Sequence, residues 1–343
     1  MKTERYSYID LVRAVSIIGV MIIHTLSFHL SSPIALLFWN FLQFVVAAFV
    51  FCSGYVHAHY FDRLVSLKSV FKWYKKRTIR MLLPFYIYFI VHFLLFLIFP
   101  SVFTHFGMHP SVSFVIGSLL LYGGINTNWL PLLFLEMTLL TPILFFLYRR
   151  RAMKWYIGLA SIFLIIHTIF LFPYSMYKLL MWIPWSLIFI VGLFSFVFKN
   201  TSYKKLFIFL SILSGILFLL LFPLWPHLSR SVNFSDNKYP PNLYYLSFAL
   251  SGTGVLFLFS IKIVSFIPQW LYMYVSQKSY SLFFIHFIFL DLIMTLQQKY
   301  SLLTIPVELV LVIGSSIVMS LLLDKIMQIL RYSSSAYTTS RVE

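Results

Sequence analysis

Charge is what this sequence has least of. Only 10% of its 343 residues are Asp, Glu, Lys or Arg, whereas a soluble domain carries about 25%, and 61% are hydrophobic. That excludes an ordinary soluble fold and leaves an integral membrane protein. Acidic residues are the scarcest of the charged ones, 9 against 26 Lys and Arg, for a net charge of +17. In a membrane chain that surplus points to basic cytoplasmic loops facing membrane lipids and anionic ligands, and nucleic acid is not expected as a partner. Cysteine occurs once, at Cys52, which excludes an internal disulfide and any cysteine-based metal site. The histidines do not fall at ligand spacing around other soft ligands, so no metal is expected. No convincing small-x-small cleavage site follows the first apolar run, which therefore reads as a retained span. No internal repeat and no transporter-type pair of broken helices is visible.

What the chain has in quantity is apolar and aromatic surface. Aromatics reach 20%, with 39 Phe and 22 Tyr, as suits lipid-facing helices with interfacial belts. Apolar runs between charged punctuation predict an all-α bundle of ten transmembrane helices, near 9–30, 34–58, 82–100, 129–148, 155–172, 179–198, 206–225, 243–263, 280–298 and 303–323. The short Gly-containing segment 111–123 reads as re-entrant or interfacial. Residues 1–330 are expected to form one transmembrane domain and 331–343 a polar cytoplasmic tail. With the N-terminus inside, all 26 Lys and Arg except Lys178, Arg230, Lys238 and Lys299 fall on the inner side, which predicts both termini in the cytoplasm.

The first span, IDLVRAVSIIGVMIIHTLSFHL, carries Arg13 and His24 eleven residues apart. At about 100° per residue the two point from one helix face, about 16 Å apart along the axis. Ionisable groups at the bilayer centre cost roughly 2.5 kcal/mol or more each, so this pair reads as the lining of a polar cavity. The topology sorts the remaining polar residues by depth. Arg13, Ser53, Arg77, Arg80, Tyr280 and His286 are expected near the cytoplasmic face, and His24, Glu136, Asp291 and Glu308 nearer the outer one. Guanidinium forks suit a polyphosphate. An imidazole suits a general base, with a carboxylate such as Glu136 to orient it if the two helices are neighbours. Blander readings stand beside these. Arg13 fits a side chain that snorkels to the interface, Arg77 and Arg80 fit lipid headgroup contacts from a basic loop, Glu136 fits a protonated structural acid, and His286 fits a packing donor. His57, His59, His105 and His109, near span ends or in loops, are given no function. Asp291 and Glu308, on adjacent helices, suit packing or proton handling.

Five stretches then align with one family. Asp10, Arg13 and His24 open the chain as an Asp-x-x-Arg start with an Arg-x10-His spacing. FVFCSGYV carries Phe49, Ser53 and Gly54. KKRTIRMLLPFY carries Arg77, Arg80 and Pro84. NTNWLPLLFLEMTLLTP carries Asn126, Trp129, Glu136 and Pro142, and KSYSLFFIHF carries Ser279, Tyr280 and His286. In this order they resemble the acyltransferase-3 family of bacterial integral membrane O-acyltransferases, over most of the chain. Met137 and Thr138 depart from an aromatic that the family carries after the glutamate. The resemblance implies an O-acetyltransferase of the bacterial plasma membrane. Its donor would be acetyl-CoA or another acyl-CoA, its acceptor an exported glycan or lipid-linked sugar, and envelope polysaccharide biosynthesis proteins would be partners. It implies catalytic roles for His24, Glu136 and Arg13, and donor binding by Arg13, Arg77, Arg80, Ser53, Tyr280 and His286. Acceptor contacts fall to Asn126, Trp129 and Asp10. The run NKYPPNLYYL, 237–246, is similar to a stretch in related multi-span acetyltransferases, and equally fits a proline-marked entry to a span with interfacial tyrosines. The competing class is an exporter or flippase of a polysaccharide or lipid-linked sugar.

Overall fold

The apolar runs are helices. A computed structural model describes residues 7–197, 201–301 and 303–339, with side chains described outside 195–204 and up to 329. The charge reading at Lys2, Arg5, Lys199 and Arg341 lies outside the described residues, and at Lys204 and Arg331 outside the described side chains. Among the described residues 81% are helical and no strand forms. The helices are α1 (Ser7–Leu26), α2 (Pro33–Phe41), α3 (Val45–Ala58), α4 (Leu67–Ile98), α5 (Val112–Leu119), α6 (Trp129–Arg149) and α7 (Met153–Phe170). After these come α8 (Tyr177–Leu180), α9 (Trp182–Val197), α10 (Thr201–His227), α11 (Leu243–Ile263), α12 (Gln269–Tyr300) and α13 (Ile305–Thr339).

Among the described residues, nine stretches are long and apolar enough to cross a membrane. A tenth is broken, because Tyr174–Leu180 and Trp182–Phe194 meet at 41°, where the sequence reading had one unbroken span at 179–198. The register between α1 and α12 counts that bent pair as a crossing. Asp10 meets Ser276, Arg13 meets Ser279 and His24 meets His286, in the same order along both helices, so α1 and α12 run parallel. Parallel helices need an odd number of crossings between them, and there are seven only if the bent pair crosses. With the bent pair counted, the described residues hold ten candidate crossings.

Two helices start well before the expected span. Ser66 and Ser69 cap each other's backbone N–H groups, a capping box that starts α4 at Leu67. The stretch WYKKRTIR, read as a loop, is therefore helical, and Arg77 and Arg80 stand on a continuous helix running into the bundle. Similarly, α12 begins at Gln269, eleven residues ahead of the expected span. His286 is thereby moved to mid-helix, away from the face where it was expected. The segment 331–339, expected as part of a separate tail, continues α13.

The most buried of these nine stretches is α1, with 72% of its most apolar 18-residue window inside, against 11% for the window in Lys205–His227. The family residues on α1 thus sit at the centre. Small residues permit a close approach of α3 and α9. A Cβ on Gly54 would lie 2.1 Å from the Phe189 carbonyl oxygen, and one on Gly192 2.1 Å from the Phe51 carbonyl oxygen. This is membrane packing by backbone proximity, and it assigns a structural reason to Gly54. Gly54→Leu and Gly192→Leu are each expected to force the helices apart. Overpacking of this kind costs typically about 1–3 kcal/mol, so both variants should show a lowered thermal transition in detergent and reduced membrane abundance. An unchanged transition would remove the close contact from the account.

Candidate active site

Five predicted residues come together at one end of the bundle. Arg13, Ser53, Arg77, Arg80 and Tyr280 line a cavity of about 490 Å³, closed on its other walls by Met81, Pro84, Phe134 and Phe49 among others. They come from α1, α3, α4 and α12, which is why no local pattern shows the cavity whole. Arg13 donates to Ser279 Oγ at 3.1 Å, and Arg80 stands exposed at the mouth. Two lining atoms are buried without a hydrogen-bond partner, Arg77 Nε and Tyr280 Oη. Leaving such donors unmade costs about 1–3 kcal/mol each, more for a charged group. A cavity walled by unspent cationic and hydroxyl donors suits an anion.

Beyond Phe49 lies a second void of about 20 Å³, room for one water. His24 lines it with Trp129, Lys238, Phe283 and Phe49. Phe49 borders both voids, and its ring meets Phe134 at 5.5 Å, so a single aromatic wall separates the arginine cavity from the imidazole.

His24 pairs with His286, not with Glu136. Its Nδ1 is 2.8 Å from His286 Nε2. The rings are 5.1 Å apart between centroids and within 10° of coplanar, which is the edge-to-edge geometry of a linear N–H···N bond. His286 Nδ1 is 3.1 Å from the Leu282 carbonyl oxygen. A carbonyl only accepts, so His286 Nδ1 carries a proton. In the neutral pair His286 Nε2 is then the acceptor, His24 Nδ1 donates to it, and the lone pair of His24 is left on Nε2. This fixed tautomer is the one a general base needs. Phe287, 4.8 Å from His24 and 4.1 Å from His286, holds both rings. The expected depth of His286 near the opposite face is thus corrected, for the reason given by the early start of α12.

The remaining predicted residues fall elsewhere. Glu136 stands on α6, which packs on α4, α7 and α9 rather than on α1. Its Oε2 is buried without a partner, and the residue lines neither void. Asp10 accepts from Ser276 Oγ at 2.6 Å and fastens α1 to α12. Asn126 is exposed ahead of α6 and lines neither void. Trp129 does line the His24 void.

Sequence reasoning missed three features. Lys238, counted as an outer charge and given no role of its own within the run 237–246, is 5% exposed and reaches the His24 void. The tyrosines around it, read as interfacial, are buried at Tyr244 and Tyr245. His92 was passed over although it interrupts an apolar run just as His24 does. It lies 2.6 Å from Asp291, which His105 approaches at 2.8 Å from the other side, so Asp291 joins α4, α12 and the 99–111 loop. Glu308 likewise meets His29 at 2.5 Å. Both acids thus tie histidines of other segments to α12 and α13.

The model of one protein family, described as an acyltransferase domain, matches residues 6–325. The chain belongs to the acyltransferase-3 family. Comparison with curated proteins finds no match, and comparison with solved structures finds none either. As a membrane acyltransferase, the protein must hold an activated acyl group and deprotonate an acceptor. One void is walled by arginines and the other by a tautomerically fixed imidazole.

Proposed function

We propose that this acyltransferase moves an acyl group, in the simplest case acetyl, from acyl-CoA to a hydroxyl of a cell-surface or exported glycan or lipid-linked sugar. It would act in the bacterial plasma membrane, with both termini and the arginine cavity toward the cytoplasm. The observation that carries the reading is the pair of unpartnered buried donors, Arg77 Nε and Tyr280 Oη, in a cavity that also presents Arg13 and Arg80. Three guanidinium groups match the phosphates of a coenzyme A better than any neutral ligand. The donor supplies an acyl thioester. Movement of the Phe49 ring admits its narrow end to the His24 void. There His24 Nε2 takes the proton of the acceptor hydroxyl, the oxygen bonds to the carbonyl carbon, the C–S bond breaks, and the thiolate recovers the proton from His24. His286 holds the tautomer throughout. Export of a sugar would need a wide passage, and an aromatic wall with a one-water void behind it offers no support for that reading.

The test has two arms. Coenzyme A is expected to raise the thermal transition of the purified protein. Mass spectrometry is expected to find acyl esters on the surface polymers of cells with the gene and not on those without it. Failure of both would end the reading.

A further inference from the structure

Among the described residues, Lys238 is the one cation that lines the His24 void, and it reaches it from a loop, not from a span. That loop is tightly held. Asn237 donates to the Ser231 and Asn233 carbonyls at 2.8 and 2.9 Å, and its Oδ1 accepts from Trp225 and Asn242. Asn242 in turn caps α11 through the Tyr245 N–H at 3.0 Å. His167 Nε2 sits 3.0 Å from the Pro240 carbonyl. The side chain of Lys238 is thereby fixed inward, with Trp129 and Tyr239 rings 5.5 and 5.3 Å from Nζ.

A buried lysine is ordinarily paired with a carboxylate. Lys238 donates instead to the neutral Gln43 Oε1 at 3.2 Å, and Gln43 is itself placed by the Trp39 carbonyl and by Tyr245. One of three N–H bonds is used there. Burial pushes the Lys238 amine down to about 7, so near neutral pH the ammonium is still populated and needs no proton from the reaction itself. Preorganised donors aimed at such a charge are the usual means of stabilising a tetrahedral intermediate.

We propose that the Lys238 ammonium is the oxyanion donor of the acyl transfer, meeting the carbonyl oxygen of the acyl group across the void from His24. This rests on the transferase reading above. As the acceptor oxygen bonds to the carbonyl carbon and His24 takes its proton, the carbonyl π pair moves onto the oxygen that Lys238 faces. When the intermediate collapses, that pair re-forms the C=O bond and the C–S bond breaks. Gln43 is a positioning residue.

The experiment compares Lys238→Met, Lys238→Gln and Lys238→Arg in the full chain. The readouts are acyl-ester content of surface polymers at matched membrane abundance, the thermal transition of purified protein, and its rise with coenzyme A. Lys238→Met and Lys238→Gln are expected to lower transfer by about 10²–10³-fold. Both should keep the coenzyme A shift, and neither should melt earlier, because an uncompensated buried cation has been removed. Lys238→Arg should keep part of the transfer. Wild-type esters in either neutral variant would overturn the proposal, as would a loss that runs parallel to earlier melting in both. Where Lys238→Met does not accumulate, Lys238→Gln decides, since its amide preserves a bond to Gln43. Esters lost in His24→Ala but kept in Lys238→Gln sink the role of Lys238 alone. Esters kept in His24→Ala sink the transferase mechanism itself.

Discussion

His24→Ala is expected to lower acyl transfer by about 10²–10⁴-fold, the usual worth of a positioned base, without lowering membrane abundance. His24 borders a void on one side, so its loss strips only the contacts that its ring makes with His286, Phe283 and Phe287 on the other. The check is the initial rate of ester formation at equal abundance. His286→Phe keeps the ring volume and removes the acceptor for His24 Nδ1–H, so the lone pair is no longer held on Nε2. A smaller loss is expected there. The double variant should be no worse than His24→Ala, because residues that act as a unit are not additive. A double variant that loses the product of the two single effects would show that His286 does something other than hold the tautomer. Undiminished transfer by His24→Ala would remove the base from this site.

Arg77→Ala is expected to abolish protection by coenzyme A. A hydrogen bond to a charged group is worth about 1.5–3 kcal/mol, and 1.4 kcal/mol is tenfold in affinity, so binding should weaken by about 10–100-fold. The effect on stability is then steep. Ligand at 100 times Kd stabilises by about 2.7 kcal/mol. After a hundredfold loss of affinity the same concentration contributes only about 0.4 kcal/mol by the same relation. Arg149→Gln is the control. Its guanidinium donates to the Phe61 and Leu64 carbonyls away from the cavity, so that variant should melt earlier yet keep the coenzyme A shift. A full shift in Arg77→Ala would mean that the arginine cavity does not hold the donor.

The part of the site legible in the sequence was the part written along single helices. Arg13 and His24 share a face because eleven residues make nearly three whole turns. Arg77 and Arg80 stand one turn apart for the same reason. Other features were out of reach because they join segments far apart in the chain. His286 is 262 residues from His24, and its depth depends on where α12 starts, which no break in hydropathy marks. Glu136 shares the expected depth with His24, but depth is one coordinate of three, and α6 packs elsewhere. Lys238 looked like any loop cation, since nothing in a local pattern shows that Asn237 and Asn242 turn its loop inward.

Apolar segment length, a local property, was enough to determine an all-α membrane chain of nine to ten long apolar helices among the described residues, and five short motifs were enough for its family. Which helices touch was decided only by the tertiary structure. Lipid-facing and partner-facing surfaces are equally apolar, so composition does not distinguish them, and close helix contacts depend on small residues and on shape. The Phe49 wall, the His24–His286 pair and the inward Lys238 are all products of that packing.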